Sequence, residues 1–122
     1  MKHSKKIIAV AAIGLLVSSS AMADVNWKRY KELLAYANQN PQDISLDAYI
    51  AGASSALWAA NAQLNYDKQR PLYCPPEKLM LNPSNVKALL ANTRNPAIAK
   101  IPDEMPLGMA IMFALRDAFP CQ

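Results

Sequence analysis

The chain has 122 residues, 52% of them hydrophobic and 18% charged, with a formal net charge of +4. Lys2, Lys5 and Lys6, an apolar run from Ile7 to Val17 and an Ala21-Met22-Ala23 cleavage pattern are the three parts of an export signal. Removing residues 1–23 leaves a 99-residue domain, 24–122, with ten basic and nine acidic side chains, which excludes a surface able to track a phosphate backbone, and with it nucleic-acid binding.

In that domain alanine is abundant, while Val, Ile and Thr together number eight, a balance that favours helices over strands. Nine prolines cut the chain into helix-length pieces. The first helix is expected over Val25 to Asn38, with Trp27, Tyr30, Leu34 and Ala37 as its apolar stripe and Lys28, Arg29, Lys31 and Glu32 in solvent. Asn38-Gln-Asn-Pro41 ends it. The second runs from Ser45, read as an N-cap, to about Asn65. Its stripe is Leu46, Tyr49, Ile50, Ala53, Leu57, Ala60 and Leu64. Inside it Ala51-Gly-Ala-Ser-Ser-Ala56 is a run of small residues, which marks Gly52 as a close-packing position, with a hinge as the other reading.

Tyr66 to Pro76 is the longest irregular segment, a loop of mixed charge tied down at Cys74. Asn82-Pro83 then reads as an N-cap with proline in the first turn, opening a short helix to about Thr93. Its stripe is Val86, Leu89, Leu90 and Thr93, and Asn95-Pro96 stops it. The last helix covers Pro106 to Ala118 with Leu107, Ile111, Ala114, Leu115 and Ala118 inward. Met105, Met109, Met112 and Phe113 widen its apolar arc to nearly the whole circumference. The fold class is all-α: one small bundle of four to five helices stapled by one disulfide.

The chemistry available is sparse. An apolar run of eleven is too short to span a bilayer, which takes roughly 20 residues, so no membrane contact is expected once the signal is cut. The single histidine, His3, leaves with the signal, and without it no Ser-His-Asp triad, Cys-His pair or His-based zinc site is available. Asp103-Glu104 are adjacent and diverge, so they read as helix N-terminal acids rather than an acid/base pair. Two glycines, Gly52 and Gly108, build no phosphate loop. The expectation is a non-enzyme with no metal and no cofactor. Cys74 and Cys121 are the two cysteines. In an oxidising compartment they read as a structural disulfide, a free reactive pair being the poorer alternative. That bond would fasten the last helix to the start of the short third one.

The aromatic set Trp27, Tyr30, Tyr36, Tyr49, Trp58, Tyr66 and Tyr73 reads as core packing or as a pocket lining. Tyr66 and Tyr73 bracket a loop containing Asp67, Lys68, Gln69, Arg70 and Leu72. Tyr and Arg beside polar groups compose an interface hot spot, and a solvated connector is the plain alternative. The small-residue second helix would suit a two-fold interface or an internal core.

Three segments together resemble the Rap/Tai immunity proteins of type VI secretion systems: Leu46-Asp-Ala-Tyr-Ile-Ala-Gly52, Tyr73-Cys-Pro-Pro76 and Ala114-Leu-Arg-Asp-Ala-Phe-Pro-Cys121. They span most of residues 46 to 121. The resemblance implies an all-helical periplasmic protein, often a homodimer, that neutralises a peptidoglycan-degrading amidase effector by inserting a loop into its active-site cleft. It carries over the disulfide pair Cys74 and Cys121 and the packing Gly52. The inhibitory surface, Tyr66 to Tyr73, is assigned on composition alone. The alternative of the same size, compartment and cysteine count is an acid-stress holdase chaperone, for which nine acids make a weak protonation switch.

Overall fold

The computed structural model describes residues 25–79 and 81–122, which form five helices. The export signal expected over residues 1–23 lies outside the described residues. In chain order the helices are α1 (Trp27–Gln39), α2 (Ser45–Tyr66), α3 (Pro83–Leu90), α4 (Pro96–Ala99) and α5 (Leu107–Ala118). The all-α class expected from composition is what the chain forms.

Helix α5 is the hub and touches each of the other four. Leu107, Ala110, Ile111, Ala114 and Leu115 are buried along one side of it. They meet Trp27 and Tyr30 of α1, Leu46 and Ile50 of α2, Val86 and Leu90 of α3, and Ile98 of α4 in a single core. The arc is narrower than the sequence implies, because Met109 and Ala118 are exposed and Met112 and Phe113 half-buried. Four neighbouring helices cover one side of α5, leaving the other to water.

The helix starts follow local chemistry. Asn26 caps α1, its Oδ1 accepting from the Arg29 N–H at 2.8 Å. The same turn is stitched to the entry of α5: Trp27 N–H donates to the Met105 carbonyl, and Leu107 N–H to the Val25 carbonyl. Asn82 caps α3 in the expected way, and Pro83 occupies its first turn. Asn95-Pro96, expected only to stop α3, repeats that signature and opens the one-turn α4. Helix α3 therefore ends at Leu90, and Thr93 is exposed.

Three sequence assignments are corrected. Ser45 is the first residue of α2 and not its cap; the residue before the helix is Ile44, with no side-chain cap bond. Asp43 does the local work, its Oδ1 accepting from the Ser45 N–H at 2.9 Å, and hydrogen bonds from Ser45 hold its carboxyl below the usual range. Asp103 and Glu104 precede α5 outside its first turn; the Asp103 carboxylate pairs with Lys31 across the surface at 3.1 Å. Gly52 is not a packing glycine. It lies on the exposed side of α2, where a Cβ would meet nothing within 4 Å.

The buried line of α2 is Leu46, Ile50, Ser54 and Asn61, with Tyr49, Ala53 and Leu57 half-buried beside it. Two polar residues thus occupy positions at helical spacing from apolar ones. Ala60, expected inward, is exposed, and so is Trp58 at 64%.

Candidate functional site

Helix α2 ends in a turn that reverses the chain. Lys68 takes a left-handed backbone conformation, φ 56°. Its N–H donates to the Asn65 carbonyl at 3.1 Å, and the Gln69 N–H donates to the Leu64 carbonyl at 2.8 Å. Together these form a Schellman closure with lysine where glycine is commonest. Gln63 Nε2 donates to Asp67 Oδ2 at 3.0 Å and braces the same corner.

Beyond the turn, residues 70–75 run back along α2, and Asn61 holds them there. Asn61 Oδ1 accepts from the Leu72 N–H at 2.6 Å, while its Nδ2 donates to the Tyr73 carbonyl at 2.8 Å. This amide is 6% exposed. On the other side the Cys74 N–H donates to the Phe119 carbonyl at 2.8 Å, and Cys74 is bonded to Cys121 with a Cα–Cα distance of 5.0 Å. The disulfide therefore joins the tail after α5 to the segment lying on α2, rather than to the start of α3 as the sequence suggested.

Of the residues expected to bind a partner, Tyr66, Asp67, Lys68, Gln69 and Arg70 are exposed, and Leu72 is half-buried. Tyr66 is the last residue of α2, not part of the loop, and is 83% exposed. Tyr73 is a correction. Its side chain is 1% exposed and belongs to the core, because the Asn61 and Cys74 anchors on its backbone place the ring inward. Burial pushes its phenol above the ordinary range, and the hydroxyl has no hydrogen-bond partner among the described residues. The other aromatics divide similarly. Trp27 and Tyr30 stack in the core with ring centroids 5.1 Å apart, and burial pushes the Tyr30 phenol up to about 12. Tyr36, Trp58 and Tyr66 face solvent.

Two hollows lie between α2 and residues 71–81, and a third lies between residues 70–72 and the end of α5 with its tail. The first, of about 410 Å³, is bounded by Ser54, Trp58, Pro75, Glu77, Leu79 and Leu81. Trp58 and Pro75 also bound the second, of about 370 Å³, which extends past Asn65 to Pro71. Pro71 in turn bounds the third, of the same size, between Arg70 and Arg116. Neighbouring hollows thus share Trp58, Pro75 and Pro71 in their walls, with an indole and leucines bounding the first and two arginines bounding the third. The chain matches no family model, no curated protein and no solved structure.

The sequence gives no sign that Trp58 is exposed or that Arg116 borders the same hollow as Arg70. Asn61 was legible in principle as an amide falling at helical spacing from Ile50 and Leu57, though not as a clamp. Arg116 carried no such signal, since only the tertiary fold sets it beside that hollow.

Proposed function

We propose that this chain is a periplasmic immunity protein that binds and neutralises a type VI secreted peptidoglycan amidase, without chemistry of its own. The class of partner comes from the resemblance to Rap/Tai proteins in the segments around Gly52, Cys74 and Cys121. One observation carries the binding part of the reading. The corner Tyr66 to Arg70 projects an exposed tyrosine and arginine from a backbone held by the Schellman turn, the Asn61 clamp and the disulfide. Tyr and Arg on a rigid support lose little freedom on docking, which is what a loop entering an enzyme cleft requires.

The test is a competition assay between a secreting parent and a strain lacking this gene and its neighbouring effector gene. Selective killing of the deletion strain, reversed by expressing the chain, is the expected outcome. Arg70→Glu should then weaken binding to the effector by about tenfold or more, measured by titration calorimetry. Unchanged affinity rejects the corner as the contact surface. Equal survival of both strains, with secretion active, rejects immunity.

A further inference from the structure

We infer that the hollow between Arg70 and Arg116 is a carboxylate-binding pocket that receives an acidic side chain of a protein partner. Its walls are Arg70, Pro71, Leu72, Arg116, Pro120 and Cys121, two cations and no acid, around about 370 Å³. The described ion pairs join Arg29 to Glu32, Lys31 to Asp103 and Lys87 to Asp47, so neither pocket arginine is neutralised from within.

Both arginines are supported. The Arg116 guanidinium lies over the Phe113 ring, 4.9 Å from its centroid, a cation–π contact that holds the side chain at the pocket wall. Arg70 sits between the Schellman turn and the Asn61 clamp. Across the hollow, Pro120 and Cys121 are held by the disulfide and by the Cys74–Phe119 backbone bond. Two like charges facing one concavity repel until an anion enters, and a guanidinium fork matches a carboxylate with two parallel hydrogen bonds.

The source of the carboxylate follows from what adjoins the pocket. Pro71 also bounds the neighbouring hollow, which reaches Trp58. A free small anion would use only the cationic pocket, whereas an acidic residue within a polypeptide lets the flanking residues reach the neighbouring hollow. This inference rests on the neutralising reading only for the partner being a protein.

Arginine Nε–Hε resonances of the protein, expressed from the full chain, are followed while acetate, Ac-Ala-Glu-Ala-NH2 or Ac-Ala-Gln-Ala-NH2 is added. Saturable shifts of Arg70 and Arg116 with the Glu peptide are expected, with Arg29 and Arg94 unmoved. The Glu peptide should saturate at about tenfold lower concentration than the Gln peptide or acetate. Arg116→Gln should abolish the Arg70 shift. Equal binding of acetate and the Glu peptide overturns the protein source, leaving a small-anion site. An Arg70 response unchanged in Arg116→Gln, or no saturable shift with the Glu peptide, overturns the pocket. Since no effector enters the titration, its failure leaves the immunity reading to stand or fall in the competition assay.

Discussion

Asn61 shows how one side chain decides where a functional segment lies. A loop of Pro71 to Pro76 has few local hydrogen bonds of its own, and its backbone groups near α2 are partly or fully withdrawn from water. The Asn61 amide meets them with one acceptor and one donor, and the reward is larger because an unpaired buried group costs about 1–3 kcal/mol. Replacing Asn61 with alanine strands the Leu72 N–H and the Tyr73 carbonyl together. The expected loss is about 2–3 kcal/mol, or about 10–20 °C in Tm, read by far-ultraviolet circular dichroism. A loss below about 0.5 kcal/mol, the range of plain surface changes, would mean that the amide is not the clamp.

Among the elements, α2 is where sequence pattern and structure diverge most. Its 22 residues carry no charged side chain from Ala48 to Tyr66, so apolar positions do not by themselves mark which side is inward. The stripe read from the sequence is right at Leu46 and Ile50 and fails at Ala60. The buried line instead passes through Ser54 and Asn61. The same ambiguity made Gly52 read as a packing residue within the Ala51-to-Ala56 run. Because its Cβ position is open, Gly52→Ala should stabilise the protein by about 0.5–1 kcal/mol, through backbone entropy in a helix interior. Thermal unfolding checks the sign. A packing role would give the opposite one.

For the whole molecule the Cys74–Cys121 bond is the long-range tie. It closes a sequence separation of 47 residues and holds the tail of α5 against the segment clamped to α2. In the chain-entropy account a loop of that length contributes about 4 kcal/mol, a large part of the roughly 5–15 kcal/mol typical of a folded domain. Paired Cys74→Ser and Cys121→Ser substitution should lower Tm by on the order of 20 °C. It should also loosen the Arg70–Arg116 pocket, whose far wall is Pro120 and Cys121. A Tm change of only a few degrees would place the stability in the helix core alone.

The features legible in the chain are local. Helix-forming composition, proline and asparagine punctuation and the 3.6-residue spacing of Trp27 and Tyr30, or of Leu107, Ile111 and Leu115, set the elements and most of the core, because those signals act within a few residues of chain. The pairing of two cysteines was legible for a different reason: two partners leave one pairing. Packing in three dimensions settles which side of α2 faces in, that Tyr73 is buried while Trp58 is not, and that Arg70 and Arg116 border one hollow. Those outcomes depend on the packing of α5 against four other helices and on hydrogen bonds between residues distant in the chain, which no local pattern encodes.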